Sequence, residues 1–454
     1  MGKNSKAINT PLITVYITNH NYGKFINKAI KSVLNQSVKN FELIIIDDGS
    51  TDNSKKIINN YKNNKKITSI FQKNRGLIVS NNLALRLARG KYIMRLDADD
   101  WLDFHALEIM SNILERNSKI GLVFPDYFEV DRNGKVLNLV RRHDFKKVKL
   151  YDQPAHGACT MIRKDCLEKI GGYNEKYDRQ DGYYLWIKFI QKYEVINTNL
   201  PLFFYRKHEN SLSKNEEKIL STRSEIIRSN LSKKNLKKKA LAILPIRGLQ
   251  INPSALVLKK LKGKPLLLWT IESLLEAKNI SKICVTSPDK NILSFLKKIY
   301  KNKILLHKRD EKLGGINIEI DETIRLATKF ATKKKIKFNY IFELSYKTPF
   351  LKSKDIDGFV NLIDFFDTDE VLGVRTELDR IYKHDGSGLK IVNRSSNLKL
   401  ERDQLFKSVD GIRLFKKSLV RKKKYKVKTG HYILDQKSSH VINTGLDWKI
   451  AKAI

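Results

Sequence analysis

The chain is 454 residues long, too long for one ordinary hydrophobic core, so two or more domains are expected. Its hydrophobic fraction of 41% suffices for globular domains, and no run of about 18 apolar residues is present to cross a membrane as a helix. The net charge of +40 favours anionic partners, but the Lys and Arg residues run along the whole chain without interleaved aromatics, which argues against nucleic acid.

That charge reads as a lysine-rich compositional bias plus some attraction to anionic membrane surfaces. Cys159, Cys166 and Cys284 are scattered, so neither a disulfide framework nor a zinc site is expected. The polar stretch from Met1 to Thr10 lacks an apolar signal-peptide core, and Lys6 stands where a myristoylation signal needs Ser or Thr. These features lead to the expectation of a cytoplasmic protein, peripheral at most to the inner membrane face.

Ile13 to Thr18 is β-branched and apolar and reads as a buried strand. Asn19 to Gly23 forms a turn, and Lys24 to Asn35 has helical apolar spacing through Phe25, Ala29, Ile30, Val33 and Leu34. Phe41 to Ile46 is a second strand running into Asp47-Asp48-Gly49-Ser50-Thr51-Asp52, with a helix from about Ser54. Alternating strands and helices predict right-handed crossovers and a parallel sheet, whose ligands gather at the carboxyl ends of the strands.

Tyr92 to Leu96 is a third apolar run, and it ends in Asp97, Asp99 and Asp100. Three carboxylates within four residues repel one another unless a cation or hydrogen bonds compensate them. Hard oxygen ligands at a strand end suit Mg²⁺ or Mn²⁺ on a nucleotide diphosphate. The same residues would also serve as a solvated acidic turn capping the next helix.

The segment Phe41 to Asp52 resembles the aspartate-rich segment of family 2 glycosyltransferases, which have the GT-A fold. Asn74-Arg75-Gly76, Asn82, Ala88 to Ile93 and Leu96 to Asp100 continue the likeness in order. Gly171 to Glu175, Gln180 to Trp186 and Tyr205 to Ser213 complete it. The resemblance implies that Asp47 binds the donor base and Asp97 the ribose side of the nucleotide, with Asn19 and Asn82 also on the donor. It implies Asp99 as the metal ligand and Asp181 as general base on the acceptor hydroxyl. His208 would close the metal site or remain a polar surface residue, and Trp186 would be core or acceptor shelf. Two departures stand out: Gln180 where the family usually has Glu, and Asn81 where relatives often carry Arg near the donor.

Lys214 to Lys239 is charged, with Ile219, Ile226, Ile227 and Leu231 near helical spacing, so a helical linker is expected over 214–238. Beyond it, Ala240 to Pro245, Lys282 to Ser287, Tyr340 to Leu344 and Val371 to Val374 read as strands of a second open sheet, and Asp289 begins a helix. The fold class expected is α/β: two open Rossmann-like α/β domains, 1–213 and 239–454, joined by the charged linker.

Leu244-Pro245-Ile246-Arg247-Gly248, Leu261 to Leu266, Thr348-Pro349, Asp410-Gly411 and Asn443 to Trp448 resemble the cytidylyltransferases that activate acidic sugars. The likeness makes Arg247, Gly248 and Lys264 candidate nucleotide-binding residues. The family's phosphate-cradling Gly-Ser-Lys is replaced by Leu249-Gln250-Ile251, the sugar-acid Arg by Leu351, and the metal-binding Asp-x-Asp by Val441-Ile442-Asn443. Glycine's close backbone approach and lysine's charge are both lost there. The resemblances together imply an inverting, metal-dependent glycosyltransferase using a nucleotide-sugar donor, UDP by default. Its acceptor would be a bacterial surface glycan or lipid-linked saccharide, and its second domain non-catalytic. The alternative is a bifunctional enzyme with an active CMP-sugar cytidylyltransferase, holding metal through Glu343, Asp367 or Asp369.

Overall fold

The computed structural model describes residues 10–142, 157–177, 180–207, 216–231, 237–248, 256–315, 319–377, 381–392, 405–421 and 427–454. Two compact units divide between Ile226 and Ile227.

The first unit contains β1 (Ile13–Asn19), α1 (Ile26–Leu34), β2 (Phe41–Asp48), α2 (Ser54–Asn59), β3 (Ile67–Gln72), α3 (Leu77–Leu87), β4 (Tyr92–Asp97) and β5 (Trp101–Leu102). It continues with α4 (Ala106–Arg116), β6 (Ile120–Val130), β7 (Val136–Val140), β8 (Met161–Arg163), α5 (Lys164–Lys169), α6 (Asp181–Phe189), β9 (Glu194–Arg206) and most of α7 (Glu216–Ser229). The strand order is β3-β2-β1-β4-β8-β6-β9-β5, with β7 on β6. The first four strands are mutually parallel, as the alternating pattern predicts. The sheet then turns mixed: β8 runs antiparallel to both β4 and β6. Ile13, Val15 and Ile17 of β1 are fully buried with Ile26, Ala29, Ile30 and Val33 of α1, so one face of the parallel sheet is sealed by the helix.

The second unit holds β10 (Ala240–Pro245), β11 (Lys260–Leu261), β12 (Lys264–Pro265), α8 (Leu266–Glu276), β13 (Ile280–Ser287), α9 (Lys290–Tyr300), β14 (Leu305–Lys308) and α10 (Ile320–Lys333). Then follow β15 (Tyr340–Leu344), α11 (Ser353–Phe365), β16 (Glu370–Glu377), β17 (Tyr382–His384), β18 (Leu389–Ile391), β19 (Leu405–Lys416), β20 (Thr429–Ile433) and α12 (Gly445–Ala453). Its main sheet runs β14-β13-β10-β15-β19-β16-β20. Again four parallel strands come first and β19 runs antiparallel to its neighbours. Before α8, Lys262 and Gly263 both take positive φ (48° and 80°) and close a β11–β12 hairpin.

Candidate functional site

The parallel register sets the site. β1 and β2 pair so that Asn19 lies opposite Asp47 at their carboxyl ends. Asn19 Nδ2 donates to Asp47 Oδ2 at 2.7 Å and to Ser50 Oγ at 3.0 Å, while the Ser50 amide donates to Asp47 Oδ1 at 3.0 Å. Both residues are buried, so the carboxylate is aimed before any ligand arrives. Neighbouring Asp48 accepts from Gln72 Nε2 (2.7 Å) and from the Arg75 and Gly76 amides (2.9 and 2.8 Å), fixing the loop before α3. Gly49, at φ 77°, lets that loop approach: a Cβ there would stand 2.6 Å from the Asn74 amide nitrogen.

β4 delivers the acidic turn. The Asp100 amide donates to Asp97 O at 3.1 Å, so the three acids fold back on one another. Asp100 is fully buried; its Oδ1 accepts the Arg206 amide at 2.9 Å and its Oδ2 has no hydrogen-bond partner among the described residues. Burial, then the Asp99 and Asp97 charges, hold its carboxyl well above the usual range. Asp97 is pushed up to about 6, chiefly by burial, with Arg95 opposing and Asp99 and Asp181 reinforcing the shift. Arg206, the last residue of β9, donates from Nε to Asp99 O at 2.9 Å, and its guanidinium sits 4.6 Å from the Phe25 ring and 4.8 Å from the Trp101 ring. It therefore fixes the backbone of the acidic turn.

Arg95 joins the two halves of the site. It is only 7% exposed, in mid-strand, with Nε 2.9 Å from Asp97 Oδ1 and Nη1 bound to Asp181 Oδ2. Asn81 Nδ2 adds a 3.2 Å bond to the same Asp181 oxygen. Asp181 is the first residue of α6, where the helix N-terminus favours a carboxylate. Below lie the paired hydroxyls of Tyr16 and Tyr173, 2.8 Å apart and buried. Thus Asp97 and Asp181, 84 positions apart in sequence, share one buried cation.

Four of the residues singled out from sequence, Asn19, Asp47, Asp97 and Asp99, lie at the carboxyl ends of β1, β2 and β4 or in the turn that follows, and Asp181 is tied to them through Arg95. Asn82 is different. Its amide donates to Tyr173 O and Glu175 Oε1, both at 2.9 Å, and its oxygen accepts the Tyr173 amide at 3.0 Å. Those bonds brace the Gly171–Glu175 loop. Trp186 is 1% exposed and packs edge-on against Phe124, so it belongs to the core. His208 lies outside the described residues. Sequence reading missed Arg95 and Arg206 as site residues, and flagged Asn81 only as a departure near the donor; a lone Arg inside an otherwise apolar strand was the available signal for the first.

The donor set suits a divalent cation of the Mg²⁺ or Mn²⁺ type, which takes one or two protein carboxylates and keeps sites for phosphate and water. Among the described residues, no three His, Cys, Asp or Glu converge into an all-protein cage.

In the second unit Gly248 and Lys264 are each engaged by local partners. Gly248 has φ 91° and abuts Asp289, where a Cβ would meet Asp289 Cβ at 2.7 Å. Asp289 in turn caps α9, accepting from the Asn291 and Ile292 amides. Lys264 is ion-paired with Glu272 and lies 3.9 Å over the Trp269 ring, so its charge is committed within the hairpin and α8. Asn443 Oδ1 accepts Lys347 Nζ at 3.1 Å, so an ammonium occupies the neighbourhood where the cytidylyltransferase pattern needs a metal-binding carboxylate. Glu343 is near the carboxyl end of β15, whereas Asp367 and Asp369 bind Lys416 (2.9 and 3.3 Å), which pairs with Tyr340 at its amino end. Glu343 therefore does not share a site with Asp367 and Asp369. Arg309, not flagged by sequence, is 6% exposed and donates to Ile246 O and Thr323 Oγ1; burial and the Arg247 charge lower it to about 10.

A parallel β3-β2-β1-β4 core, closed by antiparallel strands and carrying its acids on the carboxyl edge, is the arrangement of a GT-A sugar-transferring domain. The family model for glycosyl transferase family 2 matches residues 14–171, and that for cytidylyltransferase matches 257–450. An uncharacterized glycosyltransferase of Methanocaldococcus jannaschii is 32% identical over 216 residues, 45% of this chain and 74% of its own length. Escherichia coli chondroitin synthase is 31% identical over 180 residues, 39% of this chain but only 26% of the synthase. The glucosyltransferase WfaP of Escherichia coli is 28% identical over 222 residues, covering 48% of this chain and 86% of WfaP. Among solved structures, S. aureus TarS with UDP-GlcNAc superposes with a TM-score of 0.40 and 17% identity, over 49% of this chain and 69% of TarS. The chain belongs to the family 2 glycosyltransferases, with a cytidylyltransferase-type domain fused after the transferase domain.

Proposed function

We propose that the first unit is an inverting, metal-dependent glycosyltransferase acting on a nucleotide-sugar donor, and that the second unit does not transfer nucleotides. The observation that carries this reading is the Arg95 bridge, which puts a helix-borne carboxylate, Asp181, beside the strand-end acids that would face a nucleotide. Asp47, held by Asn19, binds the donor base, and Asp97 the ribose side. Asp99, with His208, would hold Mn²⁺ or Mg²⁺, whose contribution is to neutralise charge developing on the diphosphate. Asp181 takes the proton from the acceptor hydroxyl as its oxygen bonds the anomeric carbon, and the bond from that carbon to the diphosphate breaks with inversion. Arg95 and Asn81 both hold Oδ2, so Oδ1 is the oxygen that receives the proton.

UDP is the default nucleotide and a glycan or lipid-linked saccharide the acceptor class. WfaP supports both, since it is named for UDP-glucose and a diphosphoundecaprenol-linked acceptor. The protein would work in the cytoplasm, with its basic surface drawing it to anionic membrane. Among the described residues, no helix is long and apolar enough to cross a membrane. For the second unit, the Lys347–Asn443 contact and the committed Lys264 support a non-catalytic reading.

The test is thermal stabilisation and turnover across UDP- and GDP-sugars with and without Mn²⁺. Asp99→Ala should abolish metal-dependent donor stabilisation. Asp181→Asn should keep that stabilisation and lose roughly 10²–10⁴-fold in transfer rate, the range of a general base. Wild-type transfer by Asp181→Asn refutes the assignment.

A further inference from the structure

Asp181 begins α6, and the residue before it is strained. Gln180 has φ 63° and ψ 30°, left-handed backbone that a residue other than Gly, Asn or Asp seldom adopts. Its carbonyl accepts the Tyr184 amide at 2.9 Å, the first hydrogen bond of the helix carrying Asp181. Whatever fixes Gln180 therefore fixes the first turn of α6. Its side chain is held from the next helix: Arg223 Nε, on α7, donates to Gln180 Oε1 at 2.7 Å. The same guanidinium lies 5.0 Å from the ring of Tyr183, the second residue of the turn after Asp181. Burial lowers its pKa, with Tyr183 opposing. α7 is seated firmly enough to bear this role. Ile226 and Ile227 are buried, and Glu225 pairs with Lys176 Nζ at 2.5 Å.

We infer that α7 is part of the catalytic unit, and that Arg223 is a positioning residue which locks Gln180 and so aims the Asp181 carboxylate. The inference rests on Asp181 being the general base. It accounts for Gln180 itself. A neutral amide can accept from a buried arginine without adding a fourth negative charge beside Asp97, Asp99 and Asp181. It also places the end of the transferase beyond 213, within α7, where the chain divides into its two units.

The experiment uses the full chain. UDP release from UDP-glucose with Mn²⁺, water as acceptor, is measured for wild type, Arg223→Ala, Gln180→Ala, the double variant and Asp181→Asn. Amide exchange of the 180–189 segment is followed by mass spectrometry in the same proteins. A base displaced by about 1 Å costs up to about 100-fold, so each single variant should lose roughly 10- to 100-fold in kcat with KM for the donor within about twofold. The double variant should lose no more than the worse single one, because both cut the same contact. The first turn of α6 should exchange faster in each. Losses that multiply in the double variant, or unchanged kcat and unchanged exchange in Arg223→Ala, overturn the inference. If Arg223→Ala does not fold, Gln180→Ala decides by the same measures. If UDP-glucose is not turned over, exchange in the first turn of α6 decides alone. An inactive Asp181→Asn beside a fully active Arg223→Ala would sink this inference and leave the proposed function standing. An active Asp181→Asn would remove the proposed function itself.

Discussion

The two units begin with the same sheet and differ in the charged side chains gathered at its carboxyl edge. In each, four parallel strands lie in the order third, second, first, fourth, followed by an antiparallel strand. In the first unit the carboxyl edge carries Asp47, Asp97, Asp99 and Asp100, and buried Arg95 ties Asp97 to Asp181. In the second, the loops at that edge carry Arg247 and Arg309, and the Asp367–Asp369 pair has gone to the amino end with Lys416. One edge can present carboxylates to a cation and a diphosphate. The other presents guanidinium and ammonium groups. Fold is common to both; the chemistry differs because a few side chains at the strand ends differ.

Arg95→Met is the severest test of this contrast, because it strips the acidic edge of its central cation. It would leave Asp97 and Asp181 facing each other without compensation, and breaking a buried pair typically costs roughly 3–5 kcal/mol. Since Asp97 keeps 28% of its side-chain surface exposed, the lower end of that range is expected, with loss of transfer activity. Denaturant unfolding of the metal-free protein reads it. A change below about 1 kcal/mol would mean the carboxylates are solvated and Arg95 is not their organiser.

Much of the acidic edge was legible in the sequence. Asp47, Asp97 and Asp99 follow directly on apolar strands, and a parallel sheet sends every such end to one side. Arg95 was not legible in the same way. Within Tyr92–Asp97 it breaks the apolar run without changing the strand period, and its partner Asp181 is 86 positions away. Arg206 and Arg223 were hidden for the same reason, since their partners are 107 and 43 positions distant. Asn82 shows the converse. A polar residue in a familiar segment is engaged by a loop 91 positions on, and only the folded chain reveals that. In the second unit the loss of Gly, Lys and Asp was readable as substitution. That a lysine moves in, as Lys347 does on Asn443, required the fold.

A smaller effect separates the acids within the first site. The folded-state pKa of Asp97 is raised to about 6, above its ordinary value of 3.8. Between about pH 4 and pH 6 the folded protein holds a proton that the unfolded chain has released. Its contribution to stability is therefore present at low pH and lost as pH rises through that window. Asp97→Asn cannot ionise, so its stability relative to wild type should climb from pH 4 to pH 6.5 by roughly 1–2 kcal/mol in metal-free protein. Asp99, Asp100 and Asp181 act on the same carboxylate, so the climb belongs to the coupled group. A flat difference across that range would show that the acidic edge is solvated.

The smallest expected effect bears on the second edge. Lys264 was a nucleotide-binding candidate from sequence, but its ammonium pairs with Glu272 and covers Trp269. Both contacts are partly exposed, so Lys264→Ala should cost no more than about 1 kcal/mol. If the edge is non-catalytic, CTP with Mg²⁺ should stabilise neither wild type nor this variant. A CTP-dependent shift in wild type that Lys264→Ala abolishes would mean the side chain leaves Glu272 for phosphate. The second unit would then be a working nucleotide site in spite of its missing acids, and charge at the strand ends could no longer explain why two such similar sheets differ.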